Sequence, residues 1–179
     1  MYYENIIDFW FNEIEQKYWW KKDPGFDQLI RKRFLCIHNT AIKCELYEWR
    51  KYPQGRLAEI IILDQFSRNI YRHEGRAFAY DSLALLLAQE AINVGVNQAM
   101  DPAQKAFLYM PFMHSESVRI HKIAIELYSE QGLESNLEFQ IKHKAIIDRY
   151  GRYPHRNKIL GRQSTEKELK FLKEPGSAF

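Results

Sequence analysis

A chain of 179 residues with 46% hydrophobic residues is long enough for one domain with a real core, so no disulfide is needed to hold it. A charged share of 27% argues against disorder, and a formal charge of +3 lacks the clustered excess expected of a nucleic-acid binder. The apolar runs, such as EIIILDQF, fall well short of the roughly 20 residues that span a bilayer, which excludes a membrane-spanning class.

Apolar residues recur at spacings of three and four along the whole chain, and no alternating Val/Ile/Thr run bounded by turns interrupts them. The expected fold is therefore all-α, a single domain over residues 1–179. The opening MYYENIIDFWFNEIEQ has acids where a signal peptide carries a basic region, so a cytoplasmic protein is expected. A first helix is predicted over 3–18, with Ile6, Phe9, Trp10 and Ile14 on one face. Asp23 and Pro24 form a cap and first-turn pair for a second helix, which runs, with room for a break, to the turn at KYPQG. Cys36 and Cys44 on it would lie about 12 Å apart, beyond the roughly 7 Å that a disulfide bridges, so both should be thiols. The third helix, GRLAEIIILDQFSRNIYR, is apolar on nearly every side, as a central helix must be. A fourth covers 76–94 and stops at Gly95. Asp101 and Pro102 open a short helix expected to end or kink at Pro111, whose ring would clash with the Phe107 carbonyl. The chain restarts at HSES, runs to about 130 and stops at Gly132; the next helix covers 134–150 and stops at Gly151. Thr165 and Glu168 make a capping box for a last helix, EKELKFL, and 172–179 reads as a tail. About eight helices joined by short turns favour antiparallel packing of neighbours.

Charged residues that interrupt apolar faces carry the functional signal. At about 100° per residue, Asp64 and Arg68 fall in the stripe of Leu57, Ile60 and Ile61, spaced to pair with each other. A structural ion pair would explain them, yet Asn69, Arg72 and Arg76 follow at once and over-supply positive charge. Glu116 is in register with Ile120, Ile123 and Leu127, where a carboxylate needs an arginine partner to offset its lost hydration. His114 stands at the expected kink, and His143 sits among Phe139, Ile146, Ile147 and Tyr150, a common setting for a core histidine. The stretch YGRYPHRNKILGR at 150–162 contains no acid; a rigid turn at Tyr153 and Pro154 should leave Arg152, His155, Arg156 and Asn157 projecting. Arginine, more than lysine, suits recognition of carboxylate or phosphate.

The candidate acid–base residues are thus His114, Glu116 and His155, with Glu116 available to orient a histidine. The candidate binding residues are Asp64, Arg68, Asn69, Arg72, His143, Arg152, Arg156 and Asn157. Arginines outnumber carboxylates in this set, which points to a small anionic metabolite, phosphorylated or carboxylated. The alternative is a helical scaffold that binds a protein segment, its polar cluster purely structural. Nucleic acid would need Tyr150 and Tyr153 for stacking, on a basic run that is short. No His-Glu-x-x-His helix or closely spaced cysteine pair suggests a metal, no nucleophile elbow is present, and no cofactor is indicated.

Three strings carry a family resemblance: LDQFSRNIYRHEGRAFAYD (63–81), FLYMPFMHSES (107–117) and RYGRYPHRNKILGRQSTEKELKFL (149–172). They resemble the bacterial family of domain of unknown function 924, whose members are similar in fold to tetratricopeptide-type helical proteins. The resemblance implies an all-α helix-pair architecture and no particular reaction. Its motifs fall here on Asp64, Gln65, Phe66, Arg68, Asn69 and Arg72, on His114, Ser115 and Glu116, and on Gly151, Arg152, Pro154, His155, Arg156 and Asn157. Ser67 stands where members often have proline.

Overall fold

In the computed structural model, which describes residues 1–177, every regular element among those residues is helical. Helix α1 (Tyr3–Asp8) passes into a π-helical turn, Phe9–Glu13, and the chain leaves it in extended backbone at Ile14. The helix expected over 3–18 is shortened because the next turn, Gln16–Trp19, folds back. The Trp19 indole donates to the Trp10 carbonyl (2.9 Å) and its ring packs edge-on against Phe11 and Phe107. Aromatic burial there outweighs continuation of the helix.

Helix α2 (Pro24–Ala41) starts as its sequence dictates, with the Asp23 carboxylate accepting from the Phe26 N–H (3.0 Å). It breaks soon after Ala41, where Cys44 takes a left-handed φ of 59°. Both cysteines are free and exposed. Helix α3 (Pro53–Ile61) widens into a second π-helical turn, Ile62–Phe66, and resumes as α4 (Ser67–Ile70). Every residue from 57 to 67 is buried, since α3 packs against α1, α5 (Asp81–Asn93) and α6 (Pro102–His114). The α3 start lies so close to the preceding turn that a Cβ on Gly55 would sit 2.1 Å from the Trp49 carbonyl oxygen.

Of the two outcomes expected at Pro111, an end is not what α6 shows; the helix runs through it to His114. Residues 106–113 are all buried, and that packing outweighs a proline penalty of about 3 kcal/mol. Helix α7 (Val118–Tyr128) is capped by Ser117, so Glu116 lies before the helix and not on its apolar stripe. Helix α8 (Glu134–Tyr150) packs on α7 and stops at Gly151, whose φ of 69° suits a residue without a side chain. Phe139, placed by its spacing on the inward face, is half exposed. Helix α9 (Glu166–Phe171) has the expected capping box of Thr165 and Glu168. Beyond it, Ser177 is buried and its hydroxyl donates to the Leu172 carbonyl (3.2 Å), while the last two residues of the expected tail lie outside the described residues.

The apolar interior has two parts, a large one spanning α1 to α7 and a small one of Ile146, Ile147, Tyr153 and Phe171. Tyr153 joins them, its hydroxyl donating to the Met113 carbonyl near the end of α6 (2.5 Å). That junction is where the polar residues gather.

Candidate functional site

Asp64 lies in the π-helical turn Ile62–Phe66, and such turns are rare and frequent at functional sites. Its side chain is 1% exposed. His114 Nδ1, from the last turn of α6, lies 2.7 Å from Asp64 Oδ1. Arg68 Nη1 approaches the same oxygen at 3.2 Å and donates to the Asp64 carbonyl at 2.6 Å, while the Gln65 amide donates to Oδ2. Arg68 also donates to Asp81, the first residue of α5 (3.1 Å). Arg156 donates to the same Asp81 oxygen from its Nη1 (3.1 Å), so one carboxylate bridges two guanidinium groups. The buried Arg156 guanidinium lies between the rings of Phe78 (4.6 Å) and Tyr153 (4.5 Å). Among the described residues only its Nη1 has a hydrogen-bond acceptor, and its Nε is buried without one.

Histidines form the other wall. His121 Nε2 donates to the Ser115 carbonyl (2.8 Å), and its Nδ1 accepts from the Gln140 amide (2.9 Å). His121, His143 and His155 surround the Tyr153 ring at centroid distances of 6.3, 5.8 and 5.4 Å. His143 Nδ1 donates to the Phe139 carbonyl one helical turn back (2.8 Å). Glu116 pins the 150–162 loop beneath them: it accepts from the Tyr153 N–H (2.7 Å) and from the fork of Arg162 (2.5 and 2.9 Å). Arg162 in turn donates to Asn157 (3.0 Å), whose amide donates to Ser164 (3.0 Å).

Burial would push the Asp64 carboxyl up, but Arg68 and then His114 override it and hold it below the usual carboxylate range. Burial and the Arg68 charge both lower His114, and Asp64 offsets them only in part. His114 is therefore a neutral imidazole at pH 7, with Nδ1–H committed to Asp64 and a lone pair on Nε2. Burial likewise lowers His143 to about 3 and His155 to about 4, and it lowers His121.

The three motifs thus meet in space: 64 contacts 114, 116 contacts 153, and 81 contacts 156. Asp64, Arg68, His114, His143, His155 and Arg156 share one cluster. Asn69 and Arg72 instead hold Asp27 of α2 (2.8 and 2.6 Å), and Arg152 forks onto Glu168 of α9 (2.7 and 2.8 Å). The surplus of arginines expected from sequence is corrected, because Asp27, Asp81 and Glu168 supply the missing carboxylates. Each lies in the first turn of a helix, where an acid reads as a partner of the helix dipole. The carboxylate orienting His114 is Asp64, not Glu116, whose two oxygens are taken by Tyr153 and Arg162. Sequence reasoning also passed over Asp81, His121 and Arg162, and it gave Tyr153 a turn and a stacking role only; Asp81 and Arg162 both stand inside the matched strings. Among the described residues no group of three or more His, Cys, Asp or Glu is placed to hold a metal ion, and no helix is long and apolar enough to cross a membrane.

The chain is similar to the solved structure of a protein of unknown function from Agrobacterium tumefaciens, at 36% identity over 96% of either chain and a TM-score of 0.91. No curated protein matches it. The family model described as "Bacterial protein of unknown function (DUF924)" matches residues 6–176, nearly the whole chain, and the protein belongs to that family.

Proposed function

We propose that this protein is an acid–base catalyst for a small carboxylated or phosphorylated metabolite, working at the cluster around His114. The observation that carries this reading is the 2.7 Å contact between His114 Nδ1 and the buried Asp64 carboxylate. A carboxylate so placed fixes the ring and its tautomer and raises the basicity of Nε2, the arrangement a general base needs. The Arg156 guanidinium, packed against the Phe78 and Tyr153 rings, adds a fixed positive charge beside the cluster that favours an anionic substrate. A second reading, a helical scaffold for a protein segment, is favoured by one fact: the cluster arginines Arg68 and Arg156 already have carboxylate partners.

A thermal-shift screen against phosphorylated sugars, nucleotides and small di- and tricarboxylates separates the two. A ligand at about 100 times its dissociation constant adds roughly 2.7 kcal/mol, several degrees for a chain of this size. The catalytic reading expects a shift that is lost in Arg156→Gln and kept in His114→Gln, with turnover of that ligand lost in both. A panel with no shift, or a shift untouched by Arg156→Gln, transfers the case to the scaffold.

A further inference from the structure

A concavity of about 670 Å³ opens at the junction of α8 and α9, lined by Arg149, Tyr150, Arg152, Thr165, Lys167 and Glu168. Three cations face one carboxylate there, and that carboxylate is already committed. Glu168 Oε1 accepts from Arg152 Nε (2.7 Å), and Oε2 accepts from Arg152 Nη2 (2.8 Å) and the Thr165 N–H (2.7 Å). Among the described residues no carboxylate pairs with Arg149 or Lys167, so their two charges stand uncompensated. The α8 C terminus and the α9 N terminus contribute opposite half charges that offset each other, which leaves the notch positive by about 2. Arg149 lies over the Tyr150 ring (4.9 Å), and the buried Tyr150 hydroxyl has no hydrogen-bond partner among the described residues.

A phosphate monoester carries about −1.5 to −2 at neutral pH and offers several acceptor oxygens, so it matches this charge where a monocarboxylate would not. Sites for small molecules run to about 300–1,000 Å³, so the notch has room for an organic body beside the phosphate. We propose that it binds a small organic phosphate through Arg149 and Lys167. This site is separate from His114 and does not rest on chemistry there.

The test is calorimetric titration with phenyl phosphate and with inorganic phosphate, ionic strength held constant with chloride. Saturable binding of phenyl phosphate is expected, weakened about tenfold or more in Arg149→Gln/Lys167→Gln, since each removes a charge-assisted bond. Tyr150→Phe and His114→Gln should both leave it unchanged, since the Tyr150 hydroxyl is buried away from the notch. Arg149 and Lys167 are exposed, so the fold should survive; Lys167→Glu, a single reversal, gives the same readout with less change to α8. Absence of saturation in the wild-type protein, or equal affinity in the double variant, overturns the site. Inorganic phosphate binding as tightly as phenyl phosphate overturns the place given to an organic body.

Discussion

Replacing Asp64 by asparagine keeps the side chain's shape and removes its charge. The neutral amide leaves Asp81 as the carboxylate facing both Arg68 and Arg156, so the buried cluster gains a net positive charge. Asp64 is 1% exposed and Arg68 18%, so water can screen little of the loss. Breaking one side of a buried pair costs about 3–5 kcal/mol. With a urea dependence of about 2 kcal/mol per molar, the midpoint should fall by about 1.5–2.5 M at pH 7. The sign of the pH dependence comes from the depressed Asp64 carboxyl: its contribution is full above the unfolded value of about 3.9 and is lost as pH falls below it. Urea titrations of wild type and Asp64→Asn should therefore differ at pH 7 and converge in strong acid. A difference under about 1 kcal/mol at pH 7 is what an exposed pair gives, and it would refute the view of Asp64 as a buried charge held by its neighbours.

Burial lowers His143 to about 3 and His38 and His155 to about 4, all below the unfolded value near 6.5. The stability of these neutral rings is present above pH 6.5 and lost as pH falls toward 4, so the melting temperature should drop across that window; a flat profile there would contradict neutral burial. In Gly55→Ala, the new Cβ meets the Trp49 carbonyl oxygen at 2.1 Å, a backbone atom that cannot swing aside. A loss of about 2–3 kcal/mol is expected, read as a fall of roughly 4–12 °C in a thermal melt, and an unchanged melt would mean that α3 can shift away from the turn.

The helices were legible because caps and stops are local. Asp23 with Pro24, Asp101 with Pro102, Thr165 with Glu168 and the left-handed Gly151 all act as their residue types predict. Whether the helix would end at Pro111 was not legible, because the proline's cost is local while its compensation, burial among residues 106–113, is tertiary. The i, i+4 contact of Asp64 and Arg68 was legible for the same reason the caps were. The partners of Arg156 and Glu116 were not, since 81 and 162 are brought near only by the whole fold. Glu116 was placed on a helical stripe because Ile120, Ile123 and Leu127 share its spacing, yet Ser117 caps α7 after it and the extended linker sets its direction.

The wide turn at Ile62–Phe66 also acts as a spacer. A π-helical turn holds about one residue more than an α-turn over a similar rise, so deleting one residue there would restore plain helix and leave the downstream residues in phase with those before it. Arg68, Asn69 and Arg72 would keep facing Asp81 and Asp27, and the change would fall on the residues inside the turn, Asp64 among them. In a relative, a single-residue gap inside this segment would mark a chain that kept both flanking helices in register and gave up the wide turn that carries Asp64.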